Sequence, residues 1–328
     1  MPYDIIATLG PASRTPAIWQ AMLDAGATAF RLNTSHLTLD QLHDWLNALP
    51  AAVPLVLDLQ GSKWRIGQIE PRTQQVDQII QLVLGSSATR SDQLPVPHPD
   101  FFTAAGAAAI GSEVVLNDAK IKLQIESITA DTVTTKVQLG GEISANKGIT
   151  LARSAYRREA LSDKDRAIVE GTRSRSGVRY AVSYVKDALE MAQYRALIGD
   201  AYLIAKLERQ AAIDECAAIA THADELWVCR GDLGAELGLR GMAAAVHQVT
   251  AQVRALPVPV IIAGQVLEHM TAHATPTRAE VCQLHDALAA GYRGCVLSDE
   301  AAMGQYPVES VRVAALFQGL THIVNYSG

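Results

Sequence analysis

Short, continuously apolar runs alternate along the chain with stretches whose apolar positions recur at helical spacing. The runs at 5–9, 27–32, 55–59, 180–184, 202–207, 226–229, 258–263 and 295–298 predict eight strands. Amphipathic stretches near 15–25, 38–48, 162–175, 187–198, 210–221, 241–255, 277–290 and 308–323 predict the helices. A strand with one wet face alternates apolar and polar residues, whereas a strand buried on both faces reads as an unbroken apolar run. These runs are unbroken. Strand and helix alternating in this way predict an α/β protein, a (β/α)8 TIM barrel. Ser162-Asp163-Lys164-Asp165 reads as a helix start. Ser162 is suited to cap the first turn, and Asp163 and Asp165 suit its positive end.

One β/α unit is interrupted after the third strand. Between 63 and 153 the texture changes to short, β-branched, alternating runs such as VVLND, IKLQIESI and TVTTKVQL. That pattern predicts a separate small β-domain inserted on a barrel loop. The expected division is 1–62 and 154–328 for the barrel and 63–153 for the insertion. Gly67 and the stretch 152–156 are the candidate hinges.

Length and composition suit this picture. The chain has 328 residues, 49% hydrophobic and 19% charged, enough for a large core. A net charge of −6 argues against a nucleic-acid binder, so the positive charge for an anionic substrate must be gathered locally. The opening MPYDIIATLG lacks the basic and apolar regions of a signal peptide. No apolar run approaches the roughly 18 residues of a membrane span. Cys216, Cys229, Cys282 and Cys295 lack CxxC spacing. These features lead us to expect a cytoplasmic protein with reduced thiols, no membrane and no nucleic acid as partner.

The candidate chemistry lies at the ends of the predicted strands, where barrels of this class carry their active sites. Side chains on a strand alternate with period two, so Lys206 and Glu208 point the same way. Asp232, one strand later, can complete a divalent-cation site with Glu208. A Lys beside two carboxylates and a metal suits phosphoryl or enolate chemistry, in which charge builds up on oxygen. The same residues also suit an ion pair at a strand end. Oxygen-only ligands favour Mg2+ or Mn2+ over Zn2+. Arg31, Asn33, Ser35, Asp58, Ser298 and Glu300 add polar groups at further strand ends. Arg31 offers a guanidinium fork to phosphate or a bridge between strands two and three. Gly231 and Asp232 offer backbone N–H groups to a carboxylate, unless RGDLG is simply a turn. Thr8-Leu9-Gly10-Pro11 turns sharply after a strand, which allows close backbone approach.

Several of these segments, in order, resemble pyruvate kinases. LIAKLE and CRGDLG are similar to that family's IAKIE and ARGDLG. TLGPAS at 8–13 and PTRAE at 276–280 match outright, RLNTSH at 31–36 resembles RMNFSH, NKG at 146–148 resembles KKG, and GQYP at 304–307 matches. The resemblance covers nearly the whole chain. It implies phosphoryl transfer from phosphoenolpyruvate to ADP, giving pyruvate and ATP. Lys206 would then neutralise the phosphoryl group in flight, Arg31 would hold phosphate, and Glu208 and Asp232 would ligate Mg2+ or Mn2+. It further implies that Gly231, Asp232, Gly264 and Ser298 meet the substrate. Thr8, Pro11, Asn33, His36, Arg65 and Lys147 fall where the family meets nucleotide. Asn33, Ser35 and Asp58 match monovalent-cation ligands. The insertion takes the place of the family's mobile lid, and the PTRAE region that of a homodimer contact. The chain stops after the eighth predicted helix, so the family's C-terminal regulatory domain, and control through it, are expected to be missing.

Four departures qualify the resemblance. Lys63, in GSKWRIG, stands where many members have the Glu that accompanies a K+ requirement; its ammonium would supply that charge, so K+ is expected to be dispensable. Gly264, in AGQVL, replaces the Thr of ATQML, removing a hydroxyl from the carboxylate side of the site. Leu59 and Gln60 replace the Thr and Lys of DTKG. Asp299, in LSDEAAMG, adds a negative charge that would disfavour a polyanionic substrate if it points inward. Three readings therefore stand: a short pyruvate kinase, a metal-dependent enzyme acting on another 2-keto acid enolate (aldolase, decarboxylase or hydrolase), or a non-catalytic paralogue.

Overall fold

The computed structural model describes residues 3–61, 63–117, 119–152, 154 and 161–318. Eight parallel strands close into a barrel: β1 (Asp4–Thr8), β2 (Ala29–Asn33), β3 (Leu55–Leu59), β4 (Val178–Val182), β5 (Tyr202–Leu207), β6 (Glu225–Cys229), β7 (Val260–Ala263) and β8 (Gly294–Leu297). Each pairs with its neighbour in sequence, and β8 returns to β1. The described parts of 1–60, 161–230 and 243–328 form this compact unit.

The barrel interior is built by the period of two. Ile6, Ala29, Val56, Ala181, Ile204, Trp227, Ile261 and Val296, one from each strand, pack into a single buried cluster. Two residues further along β1 to β5 stand Thr8, Arg31, Asp58, Ser183 and Lys206. An inward position at the apolar layer therefore makes these polar residues inward as well, one layer nearer the C-terminal mouth. At the opposite end, buried Glu225 accepts hydrogen bonds from Trp227 and, at 3.0 Å, from the Tyr202 hydroxyl.

Most helices sit where periodicity places them. Ser162 caps Asp163–Thr172 by accepting from the Asp165 amide, and Asp165 returns the bond to the Ser162 amide. Three helices differ from expectation. The sixth begins at Arg230, immediately after β6, and runs to Thr250 with a break at Gly238 (φ +70°). RGDLG is thus the opening of a helix, with acidic Asp232 in its first turn, where the helix dipole favours it. The fifth is split into Gln210–Asp214 and Cys216–Ile219. The eighth is helical over Pro307–Ala314, followed by a 3-10 turn at Ala315–Phe317; the remainder of its expected range, 319–323, lies outside the described residues. The fourth strand ends at Val182 rather than 184, because Tyr184 turns out of the strand with φ +62°.

The described parts of 61–160, together with 231–242, form a second compact unit. A six-stranded sheet runs in the order Ile149–Leu151, Glu113–Leu116, Ile121–Ile128, Thr132–Leu139, Ile79–Leu84, Gln93–Val96. Arg72–Gln74 and Gly141–Ile143 make a two-stranded sheet beside it in the chain. Alternation decides its faces: Ile121, Leu123 and Ile125 are buried and Gln124 is exposed. The helix Pro99–Ala107, absent from the sequence reading, packs Phe101 and Phe102 into this core. Trp64 meets Phe101 edge-on at 5.3 Å and donates to Asp100 at 2.9 Å. Gly67 is a close-approach glycine: a Cβ there would stand 2.4 Å from the Ser86 carbonyl oxygen. Of the second candidate hinge, positions 153, 155 and 156 lie outside the described residues.

Candidate active site

Asp58 is the hub of the barrel mouth. Its carboxylate accepts from Arg31 Nε at 2.8 Å and Arg31 NH2 at 2.5 Å, both on Oδ2. Lys206 Nζ donates to Oδ1 at 3.1 Å, and the Ser183 hydroxyl lies 3.2 Å from the same oxygen. Register explains the gathering. Asn33 is level with Asp58 across β2 and β3, and Ala181 with Asp58 across β3 and β4. Arg31 and Ser183 are each offset by two residues from those ladder partners, and the tilt of barrel strands brings such offset inward residues to one height, so they meet at Asp58.

Lys206 sits between three acceptors: Asp58, the Ser183 hydroxyl at 2.8 Å and Glu208 Oε1 at 3.0 Å. Burial disfavours its ammonium, but Asp58 and Glu208 outweigh burial and hold its pKa above the ordinary lysine range. Burial likewise opposes the Asp58 carboxylate, and the Lys206 and Arg31 charges outweigh it, so Asp58 stays below the usual carboxylate range. Glu208 is oriented by the Tyr184 amide, which donates to Oε2 at 2.7 Å. The positive φ of Tyr184 aims that amide.

Arg31 also donates through NH1 to the Thr8 hydroxyl at 2.9 Å. A guanidinium carries five N–H groups, and three are used by Asp58 and Thr8, leaving two for an anion. The bridging of β2 to β3 foreseen for Arg31 is therefore present. Asn33 is turned to its own backbone, accepting from the Ser35 amide at 3.2 Å and starting the turn Thr34–His36. Pro11 opens a 3-10 turn whose preceding Gly10 has no room for a side chain, since a Cβ would lie 2.7 Å from the Ala302 carbonyl oxygen.

The loops after β7 and β8 are joined by Glu300. This fully buried carboxylate accepts from the Leu267 amide at 3.0 Å and the Ser298 amide at 2.7 Å. Burial raises its pKa. Asp299 is exposed, so its charge does not point inward. Gly264 has φ +87° and is followed by Gln265 at φ +52°. Arg230 clamps this left-handed pair, donating to the Gly264 carbonyl at 2.8 Å and the Gln265 carbonyl at 2.9 Å. The loop demands glycine at 264 for conformational reasons, beyond the loss of a hydroxyl.

The second unit holds the other candidates. Lys63 Nζ meets Asp232 Oδ1 at 2.5 Å, and Lys63 is buried. Arg65 donates to the Asn146 carbonyl at 2.8 Å and its amide to His98 Nε2 at 3.0 Å, while the Lys147 carbonyl accepts from Ile66. Arg65 and Lys147 are thus brought to one edge, with Lys147 half-buried.

Ser183 is the member of the cluster that sequence reading missed. It stands two residues beyond inward-facing Ala181, and that spacing was the available signal. Glu300 was recognised as polar at a strand end, but its tie to the β7 loop was not foreseen.

A closed (β/α)8 barrel with a charged mouth and a β-rich insertion defines the architectural class. The family described as "Pyruvate kinase, barrel domain" matches residues 2–311. A pyruvate kinase of Methylorubrum extorquens is 32% identical over 94% of this chain and 66% of its own length. One from Agrobacterium vitis is 33% identical over 94% of this chain and 67% of its own. The crystal structure of a pyruvate kinase from Cryptosporidium parvum superposes with a TM-score of 0.80 at 25% identity, covering 96% of this chain and 68% of that one. The chain belongs to the pyruvate kinase family. It spans about two thirds of the length of these relatives. No helix among the described residues is long and apolar enough to cross a membrane.

Proposed function

We propose that this chain transfers the phosphoryl group of phosphoenolpyruvate to ADP, giving pyruvate and ATP. The observation that carries the reading is Lys206: an ammonium kept charged in a buried barrel mouth, positioned by Asp58, Ser183 and Glu208. Such a preorganised charge suits oxygen-centred negative charge that grows during reaction. Arg31, with two N–H groups left, binds the substrate phosphate beside it. As the bond from phosphorus to the enol oxygen breaks, a terminal oxygen of ADP bonds to phosphorus. Lys206 stabilises the transferring group and then the enolate, which takes a proton at carbon to become pyruvate. Gly231 and Asp232, in the first turn of a helix, offer N–H groups to the substrate carboxylate, and Gly264 and Ser298 are assigned to the substrate as well. Thr8, Pro11, Asn33, His36, Arg65 and Lys147 serve the nucleotide.

Glu208 and Asp232 fit a hard divalent cation by donor chemistry, since both are oxygen ligands suited to Mg2+ or Mn2+. Among the described residues no group of three or more His, Cys, Asp or Glu gathers as a metal site, so Glu208 and Asp232 are the two residues this reading assigns to the ion. When bound, the metal neutralises charge on the phosphoryl oxygens. K+ is dispensable in this reading, because the Lys63 ammonium supplies a positive charge of the protein's own. The protein acts in the cytoplasm.

A second reading keeps Lys206 but has it stabilise the enolate of a larger 2-keto acid, without ADP. Gly264 favours it, because the family's hydroxyl is absent there. Purified protein with phosphoenolpyruvate, ADP and Mg2+ separates the two. Pyruvate and ATP formed in equal amounts support phosphoryl transfer. Binding of 2-keto acids without binding of ADP supports the second reading, and neither result overturns both.

A further inference from the structure

Lys63 and Asp232 are far apart in sequence yet make a contact ion pair of 2.5 Å within one compact unit. Their side chains are only 9% and 13% exposed, so water does little to screen the pair. The place of Lys63 is also shaped by its neighbours. A Cβ at Gly148 would stand 2.7 Å from Lys63 Cε and 3.3 Å from Nζ, so glycine there leaves the lane along which the side chain lies. A cradle and a short contact together hold the ammonium on one carboxylate oxygen of Asp232.

We infer that Lys63 is a built-in competitor for the divalent cation, occupying Asp232 until a metal displaces it. The inference rests on the reading of Asp232 as a metal ligand. A Mg2+ or Mn2+ ion takes carboxylate oxygens at contact distance, where the Lys63 ammonium now sits. Two cations cannot share that oxygen without strong repulsion, so the ion gains Asp232 only in the fraction of molecules whose ammonium has moved. Its apparent affinity falls by that fraction. Lys63 thereby sets how readily the site loads with metal. It keeps the carboxylate neutralised without metal and raises the metal concentration needed for loading.

The test uses Mn2+ alone as probe, with the full chain and no substrate, following free Mn2+ by electron paramagnetic resonance. Lys63→Gln is expected to bind Mn2+ at least tenfold more tightly than the wild type, and Lys63→Arg to restore the weaker binding. Gly148→Ala, which crowds the ammonium off its lane with Lys63 intact, is expected to shift affinity in the same direction and serves if Lys63→Gln does not fold. If Asp232→Asn weakens Mn2+ binding while Lys63→Gln and Gly148→Ala leave it at the wild-type value, the competition is refuted and the ligand reading survives. If Asp232→Asn changes nothing, the ligand reading itself fails.

Discussion

Replacing Asp58 by Asn should be among the most damaging single changes in the barrel, although it alters neither size nor shape. The carboxylate accepts from Arg31 twice, from Lys206 and from Ser183, and is 2% exposed. The amide keeps one acceptor oxygen and adds a donor that faces an ammonium and a guanidinium. Two buried cations then lose their shared counter-charge. Breaking a buried pair by neutralising one partner costs about 3–5 kcal/mol. Because the chain forms two compact units, a single denaturation curve would not assign the loss. Native-state hydrogen exchange of peptides from β3, β4 and β5 reads the barrel directly. Adding Arg31→Met to Asp58→Asn should recover part of the loss, because it removes the cation whose ion pair was with Asp58, whereas Lys206 keeps Glu208. The pH dependence has a definite sign. Asp58 has a depressed folded-state pKa, so its contribution is present above the unfolded value near 3.9 and lost as pH falls through the folded value. The gap between wild type and Asp58→Asn should close in acid. A loss below about 1 kcal/mol at neutral pH, the scale of an exposed pair, would refute the hub role.

Further outcomes follow from neighbouring features. Gly264→Ala should lower stability by about 1–2 kcal/mol through its left-handed φ, and Gly264→Thr by more, read as a fall in melting temperature; an unchanged melting temperature for Gly264→Thr would show that the loop relaxes. Ser183→Ala should reduce kcat by roughly tenfold with little change in KM, since about 1.4 kcal/mol of Lys206 positioning is lost; a change confined to KM would make Ser183 a binding group. Replacing K+ by Na+ or tetramethylammonium should leave turnover unchanged, and a large K+ stimulation would contradict the role given to Lys63.

The barrel was legible because strands buried on both faces leave unbroken apolar runs. The third and fifth strands, Leu55–Leu59 and Tyr202–Leu207, fall on their expected limits. The same period of two made Lys206 and Glu208 visible as a pair. It could also have found Ser183, but a small hydroxyl between Val182 and Tyr184 does not disturb an apolar pattern. RGDLG was misleading because its two glycines resemble a turn, whereas a helix N-terminus tolerates glycine and gains from Asp232. The ion pair of Lys63 with Asp232 could not be read, since it joins residues 169 apart in sequence. Sequence placed Lys63 beside the cation-binding positions; only folding showed which carboxylate it meets. The left-handed pair Gly264–Gln265 was hidden for a similar reason, because backbone dihedrals there answer to the Arg230 clamp.

The central claim is that Lys206 carries the transfer of a phosphoryl group. The most direct measurement is the single-turnover rate of pyruvate formation from phosphoenolpyruvate, ADP and Mg2+, with wild type beside Lys206→Met and folding verified by circular dichroism. The account predicts rapid formation in the wild type and a loss of about a thousandfold or more in Lys206→Met, the scale of removing a preorganised charge from a transition state. A folded Lys206→Met variant that forms pyruvate at the wild-type rate would contradict it.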